Sequence, residues 1–272
     1  MYMTTDMISV NGIEMEYFSF GSGDRAFVIL PGVDTKSVLL SAMAIRSAYA
    51  AFAEAYTVYV FDRRRNMPSP YPVRQMAADT AAVMRRLGIR GADIFGASQG
   101  GMMAMCIALD APELVHCMVI GSAAASVDAE ITAGTRRWIE AARTGDMTAL
   151  TAELIDCLYS EQTIGKYRDF LIHRNDRVGE EDVRRFIIQT EAIDGFDILD
   201  ELGRISCPAL VIGSEGDKVL PVIQSRRIAE KIGCELYLYG REYGHCVFDE
   251  APDYKQRILD FFRRSGSVGA KP

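Results

Sequence analysis

The stretch Gly96-Ala97-Ser98-Gln99-Gly100-Gly101 decides how the rest of the chain is interpreted. It follows a short predicted strand at residues 92–95, and it opens a small-residue segment at residues 99–110 that favours a helix. A serine on so tight a strand-to-helix turn has strained backbone angles, so its neighbours must be small. The alternative is a glycine-rich loop with Ser98 as an ordinary helix N-cap. The strand-turn-helix context favours a nucleophile whose hydroxyl stands clear of the sheet, beside the N–H groups of the helix N-terminus.

Segments on both sides of this turn alternate between strand-like and helix-like patterns. The strand-like runs are residues 26–30, 57–61, 117–121, 209–212 and 235–239. The helix-like runs are residues 41–53, 73–87, 222–232 and 251–262. The chain begins with a predicted hairpin, because two strand-like runs flank Asn11-Gly12, a two-residue turn signal. This order predicts an α/β fold with a mostly parallel sheet and helices on both faces.

The alternation stops between Ser122 and Gly203. This stretch shows helical patterns at residues 135–142, 147–158 and 181–191, holds the only tryptophan, Trp138, and contains no convincing strand. We therefore expect a core of residues 1–121 and 204–264, a helical insertion at residues 122–203, and a frayed tail at residues 265–272. Six aromatic residues of the insertion either line a pocket or, as we favour, form its own core: Trp138, Tyr159, Tyr167, Phe170, Phe186 and Phe196.

The serine turn and its surroundings resemble the α/β-hydrolase superfamily, in its cap-bearing esterase, lactonase and C–C hydrolase branch. The similarity covers about residues 20–121 and 203–262, and the insertion corresponds to the family's cap by position alone. The resemblance implies the α/β-hydrolase fold, with a mostly parallel eight-stranded sheet and a helical cap insertion. It also implies the chain order nucleophile, acid, histidine.

That order selects the base and the acid. Of the three histidines, His245 follows the last strand and precedes Glu250-Ala251-Pro252, as in the family's Gly-His segment, whereas His116 and His173 receive no role. Asp217 matches the family's acid, a few residues after the strand at residues 209–212. Glu215 is the close rival, and Asp217 as a simple turn residue is the other alternative.

The resemblance also implies an oxyanion hole made of two backbone N–H groups. One belongs to Gln99, after the nucleophile, and the other to Val33, in the loop after residues 26–30. The family usually has His-Gly before the second donor, and this chain has Pro31-Gly32 instead.

A second departure is Asp62-Arg63-Arg64-Arg65, where the family often shows Asp-x-Arg-Gly-x-Gly-x-Ser. One interpretation is an anion-recognising loop near the mouth of the site. The other, which we favour from sequence, is a solvated basic loop on an acidic protein.

The composition indicates which classes of binding partner to expect. The chain has 272 residues, 49% of them hydrophobic, and a net charge of −7, which disfavours nucleic-acid binding. Its N-terminus lacks a signal-peptide pattern, and no apolar run approaches about 18 residues, so we expect no membrane span. The six cysteines form no C-x-x-C pair and complete no zinc spacing with the histidines. We expect a cytoplasmic protein with reduced thiols, no metal, no cofactor and a small-molecule substrate. A homodimer is left open.

The predicted function is a serine hydrolase with Ser98, Asp217 and His245 as its triad. The bond is a carboxylic ester, thioester or lactone of a small to medium, partly apolar substrate. The same residues serve other roles within the family. The alternatives are a C–C bond hydrolase of a diketone-like substrate, a cofactor-free perhydrolase, and a low-turnover ligand receptor.

Overall fold

The computed structural model describes residues 3–173 and 178–267, and the strands among them form one eight-stranded sheet. The strands are β1 (Met3–Val10), β2 (Ile13–Gly21), β3 (Arg25–Leu30), β4 (Tyr56–Arg64), β5 (Ala92–Ala97), β6 (Val115–Gly121), β7 (Ala209–Ser214) and β8 (Glu235–Tyr239). Their order is β1-β2-β4-β3-β5-β6-β7-β8. β2 pairs antiparallel with β1 and β4, and every pair from β4 to β8 is parallel. The predicted mostly parallel sheet is confirmed.

Helices cover both faces of the sheet. They are α1 (Ala42–Ala48), α2 (Val73–Arg86), α3 (Gln99–Asp110), α4 (Ala129–Thr144), α5 (Met147–Leu158), α6 (Glu161–His173), α7 (Glu180–Glu191), α8 (Val222–Ile232), α9 (Val247–Glu250) and α10 (Tyr254–Ser267). Side chains alternate along β3: Val28 and Leu30 join the core with α2, α3 and α8, and Phe27 joins the core with α1 and α10. A continuous apolar run is therefore needed, because both faces of the strand are buried.

The N-terminal hairpin is confirmed and longer than predicted. Asn11 and Gly12 have φ values of 51° and 75°, as a two-residue hairpin turn requires. β1 begins at Met3, which pairs with Phe20. Its first residues are polar and mostly exposed on the edge of the sheet, so they carry no apolar signal that sequence patterns detect.

The order in which successive strands are placed in the sheet reverses at β3. The chain passes from β3 to β4 on one side and then crosses by α2 to β5 on the other. Loops after β3 and β5 diverge at such a point and leave a crevice at the carboxyl ends of the strands. Val33 follows β3 and Ser98 follows β5, so two of the predicted site residues lie at this carboxyl edge of the sheet, where such a crevice is expected.

The segment between β6 and β7 is helical, and within the described residues it contains the four helices α4 to α7. Asp128 and Asp146 are N-caps, since their carboxylates accept hydrogen bonds from N–H groups of the first turns of α4 and α5. Gly145 ends α4 with a φ of 75°. α6 was not predicted.

The predicted frayed tail, residues 265–272, was given a start that lies too early in the chain. α10 continues to Ser267, so residues 265–267 are helical, and residues 268–272 lie outside the described residues. The helix persists because Phe261 and Phe262 are buried and Ser265 is only 8% exposed. Within the described part of the chain, no helix has both the length and the apolar character needed to cross a membrane.

Candidate active site

Ser98 occupies the strained turn expected of it. It lies between β5 and α3 with φ 56° and ψ −123°, a positive φ that is rare outside glycine. A side chain at Gly96 would collide with the carbonyl oxygen of Gly100, and one at Gly100 would collide with that of Leu30. Only glycine fits at these two positions, which explains why the turn needs small residues on both sides of Ser98.

Backbone hydrogen bonds hold the turn at the carboxyl edge of the sheet. The Ser98 N–H donates to the Gly121 carbonyl at 2.8 Å, and the Ser122 N–H donates to the Ile212 carbonyl at 2.9 Å. The ends of β5, β6 and β7 are thus joined in sequence across this edge. Asp217, three residues beyond β7, therefore lies on the same edge as Ser98.

His245 and Asp217 form a buried pair. His245 Nδ1 and Asp217 Oδ2 are 2.8 Å apart, and the side chains are 3% and 1% exposed. The other carboxylate oxygen, Oδ1, accepts from the N–H groups of Val219 and Leu220, both at 2.8 Å. Glu215, the sequence rival, instead lies 3.8 Å from Arg226 with 44% of its side chain exposed. The structure thus places Asp217, and not Glu215, beside the histidine.

The base loop is anchored beneath the turn. α9 follows His245, and its Phe248 packs edge-to-face on Phe95 of β5, with 6.4 Å between ring centroids. Among the described residues, no hydrogen bond joins the imidazole to the Ser98 hydroxyl. Such bonds are often long in a free enzyme and shorten when substrate is present.

The loop after β3 lies against Ser98. A Cβ built on Gly32 would be 3.1 Å from Ser98 Cβ and 3.7 Å from its Oγ, so the backbone next to Val33 borders the serine. Gln99 is the first residue of α3, and its N–H belongs to the unpaired first turn of that helix. These are the two positions from which the sequence predicts oxyanion donors.

The interpretation of Arg63 to Arg65 as a solvated basic loop is wrong for Arg63. This side chain is buried, and its Nη2 donates to the Pro31 carbonyl at 2.9 Å and to Gln99 Oε1 at 3.0 Å. Arg64 pairs with Asp79 at 3.3 Å, and only Arg65 is exposed. The reason is that β4 extends to Arg64 and so includes Arg63. The direction of the Arg63 side chain is therefore fixed by the sheet.

The helical insertion contacts the loops after β3, β7 and β8 at this edge. A cluster that includes Trp138 and Phe186 packs against Val33 and Val219. A second cluster, with Tyr159 at its centre, includes Cys246, the residue after His245. Trp138, Tyr159 and Phe186 thus lie in clusters built mainly of insertion residues, as favoured from sequence. Phe196 instead joins the core beneath the sheet helices, and Tyr167 and Phe170 are 46% and 72% exposed. The insertion therefore packs against loops that border the predicted site residues.

Glu250 connects the insertion to the base loop, a role that sequence reasoning missed. Its Oε2 accepts from the Gly244 N–H at 2.6 Å, and its Oε1 accepts from the Ser160 N–H at 2.8 Å and the Ser160 hydroxyl at 2.6 Å. The Cys246 N–H also donates to the Leu158 carbonyl at 2.8 Å. The backbone on both sides of His245 is therefore fixed to the insertion, on one side through Glu250 to Ser160 and on the other directly to Leu158 at the end of α5. The acidic residue before Ala251-Pro252 was a visible signal, but its partners were not.

The other histidines lie elsewhere. His116, at the amino end of β6, has its Nδ1 2.7 Å from Asp93 Oδ1. His116, Asp93 and Cys117 are close enough to hold a metal, but the Asp93 oxygens already accept from Tyr56, Arg25 and Cys117. A cavity of about 410 Å³ borders His116 at this amino edge, away from Ser98. His173 ends α6, and its side chain lies outside the described residues.

Comparisons with known proteins agree with the fold. A family model described as "Alpha/beta hydrolase family" matches residues 27–254. The human serine hydrolase BPHL is 26% identical, with 96% of this chain and 87% of that protein covered. The 3-oxoadipate enol-lactonase 2 of Acinetobacter baylyi is 24% identical over 84% of this chain and 85% of that protein. The crystal structure of MGS-M2, an alpha/beta hydrolase enzyme from a deep-sea metagenome library, is 22% identical with a TM-score of 0.85, covering 94% and 97% of the two chains.

Proposed function

Because the chain belongs to the alpha/beta hydrolase family, we propose that it is a serine hydrolase that cleaves a carboxylic ester, thioester or lactone. The observation that carries the proposal is the buried His245–Asp217 pair on the same sheet edge as the strained Ser98 turn. This combination supplies a nucleophile, a base and a group that orients the base.

The acylation step uses all three side chains. Ser98 Oγ forms a bond to the substrate carbonyl carbon while His245 Nε2 takes the hydroxyl proton, and the carbonyl π electrons move to oxygen. Asp217 bonds Nδ1, which leaves Nε2 free to act as the base and stabilises the imidazolium. Collapse of the tetrahedral intermediate breaks the carbon–oxygen (or carbon–sulfur) bond to the leaving group, which His245 protonates.

Deacylation repeats the sequence with water. His245 takes a proton from the water as the water oxygen bonds to the acyl carbon. The intermediate then collapses with cleavage of the bond between Ser98 Oγ and that carbon, His245 returns the proton to Ser98 Oγ, and the carboxylic acid leaves. In both steps the N–H groups of Val33 and Gln99 stabilise the negative oxygen. The Gly32 backbone beside Ser98 and the first turn of α3 support these two donors.

The insertion α4 to α7 forms the roof of the substrate site. Its packing against Val33, Val219 and Cys246, in the loops after β3, β7 and β8, supports this role. This supports a partly apolar substrate, since burial of apolar area provides most of the binding free energy. The name of the enol-lactonase relative supports a lactone bond in particular, and the name of the serine hydrolase relative supports a serine nucleophile. The C–C hydrolase alternative rested on the arginine run, and Arg63 and Arg64 already bind groups of the protein itself.

The test combines labelling with turnover. A fluorophosphonate probe is applied to the wild type, to Ser98→Ala and to Ser47→Ala, a control for an exposed serine on α1. A panel of p-nitrophenyl esters of graded chain length, a thioester and a lactone is then assayed. We expect Ser98→Ala to lose the label and about 10⁴-fold or more in kcat, and Ser47→Ala to behave as wild type. Labelling and turnover retained in Ser98→Ala contradict the proposal, and single-turnover kinetics in the wild type favour the receptor alternative.

A further inference from the structure

We propose that Arg63 is a positioning residue of the oxyanion hole, and this rests on the proposed function. Its guanidinium ties together the two chain segments that carry the Val33 and Gln99 donors. Its positive charge lies behind these donors and stabilises the negative oxygen of the tetrahedral intermediate.

A single nitrogen makes the connection. Arg63 Nη2 donates to the carbonyl of Pro31, two residues before Val33, at 2.9 Å. The same nitrogen donates to Oε1 of Gln99 at 3.0 Å. The loop after β3 and the first turn of α3 are thus held to one side chain at the end of β4. Preorganised donors stabilise an oxyanion without reorganising during the reaction, so a fixed spacing between them has a direct kinetic value.

The Gln99 side chain extends this connection into the insertion. It is fully buried, and its Nε2 donates to the Gln189 carbonyl of α7 at 2.6 Å. Its two amide ends are therefore both occupied, one by Arg63 and one by α7. This fixes the start of α3, and with it the Gln99 backbone N–H.

The charge of Arg63 has no direct counter-ion among the described residues. Its side chain is 3% exposed, the hydrogen bonds found for its guanidinium end on neutral oxygens, and within the same residues its Nε has no partner. The neighbouring carboxylate, Asp62, accepts instead from Arg185 at 3.1 Å and from the Arg63 backbone N–H. A buried cation without a bonded carboxylate is costly, and an apolar side chain would pack there with less desolvation. A negative charge that forms only during the reaction gives this cation a function.

Arg63 stays protonated despite its burial. Desolvation lowers the pKa of Arg63 to about 10, opposed by the nearby negative charge of Asp62. The guanidinium is thus a cation throughout the neutral range. Its interaction with the oxyanion is strong because the surroundings are dry.

The experiment compares Arg63→Met, Arg63→Lys and a control, Arg65→Met, on the exposed part of the same loop. We measure kcat and KM for a short p-nitrophenyl ester, and binding of a trifluoromethyl ketone, which forms a tetrahedral adduct, against its planar methyl ketone analogue. We expect Arg63→Met to lose roughly 10- to 100-fold in kcat and in trifluoromethyl ketone affinity, with KM and methyl ketone binding nearly unchanged. Arg63→Lys should lose less, because it keeps the charge, and Arg65→Met should match wild type.

Two results overturn the inference. The first is a wild-type kcat in Arg63→Met. The second is an equal loss of affinity for both ketones, which indicates a distorted pocket rather than a weakened oxyanion hole. If Arg63→Met does not fold, Arg63→Lys decides, because wild-type kinetics in that variant contradict the bridging role. Failure of the proposed function is seen separately, as a wild type that neither turns over esters nor reacts with fluorophosphonate.

Discussion

The two oxygens of Asp217 have different tasks. Oδ1 is held by the N–H groups of Val219 and Leu220, and this leaves Oδ2 directed at His245 Nδ1. The turn after β7 therefore orients the carboxylate, and the carboxylate in turn orients the imidazole. A side chain at Gly216 would collide with the backbone of the base loop, at the carbonyl oxygen of Tyr243, so the acid and base loops pack directly on each other.

Replacing Asp217 by Asn should reduce kcat by about 10⁴-fold with little change in KM. The amide at position 217 donates where the carboxylate accepts, so the imidazole takes the wrong tautomer and its Nε2 no longer accepts the Ser98 proton. Steady-state kinetics on a short ester measure this effect. Glu215→Gln is the matched control, since Glu215 faces Arg226. Equal losses in both variants, or wild-type kcat in Asp217→Asn, contradict the assignment of the acid.

Single residues also show where sequence reasoning succeeds and stops. The position of the serine turn follows from glycine sterics and the strand-to-helix context, both of which are local and visible in the sequence. The resemblance already favours Asp217 as the acid, but Glu215 stays a rival in the sequence because it lies only two residues away. Arg63 and Arg65 are equivalent in the sequence pattern, and they differ in burial. That burial depends on how far β4 continues past Phe61, which the sequence does not reveal.

Among the elements, α6 and α9 are joined by one carboxylate. Glu250 ends α9 and receives three hydrogen bonds, two from Ser160 at the start of α6 and one from Gly244. A side chain at Gly244 would lie 2.7 Å from the Leu158 carbonyl, so the loop also fits closely against the end of α5. The insertion and the base loop thus form one packed unit.

Glu250→Gln should loosen this unit, because an amide offers one acceptor where three donors converge. An unsatisfied buried donor costs about 1 to 3 kcal/mol, so local opening becomes easier by that amount. Hydrogen exchange at the amides of Ser160 and Gly244 should accelerate, and kcat should fall because His245 is less well held. Glu161→Gln, in the first turn of α6, is the control. Unchanged exchange at both amides in Glu250→Gln excludes the coupling.

The elements of the core were predictable and those of the insertion less so. β3, β5, β6 and β7 are buried on both faces, which gives them continuous apolar runs. α6 packs through few apolar residues and exposes Tyr167 and Phe170, so its pattern is weak. Contacts between the insertion and the core depend on distant pairs such as Ser160 and Glu250, which no local pattern reveals.

At the scale of the whole molecule, the composition predicted which classes of partner are disfavoured. The structure adds the ion pairs that connect separate elements at the surface of this acidic protein. Arg74 of α2 makes a two-point contact with Asp110 at the end of α3, both at 2.7 Å, and also bonds Glu201 at 2.7 Å and 3.0 Å. It thereby connects α2, α3 and the segment that leads into β7. Hydrogen bonds from Arg74 lower the pKa values of Asp110 and Glu201.

Arg74→Met should destabilise the protein in a pH-dependent way. The Arg74 and Asp110 side chains are each 42% exposed, so their pair contributes about 0.5 to 1 kcal/mol to the free energy of unfolding. Because the pKa of Asp110 is lower in the folded state, this contribution is present above the unfolded value of about 4 and is lost as the pH falls through the folded value. Urea unfolding at pH 7 and near pH 3 measures it, with Arg86→Met of the same helix as control. A difference between wild type and Arg74→Met that grows on acidification contradicts the sign.

The covalent intermediate gives the sharpest test of the whole mechanism. p-Nitrophenyl acetate is mixed with the wild type, quenched with acid within the first turnover, and the chain is mapped by peptide mass spectrometry. We expect one acetyl group per chain on the peptide that contains Ser98, lost on longer incubation as water deacylates the enzyme, and absent from Ser98→Ala. An acetyl group on another residue, or product release with no covalent intermediate in wild type while Ser98→Ala keeps its turnover, would contradict Ser98 as the nucleophile.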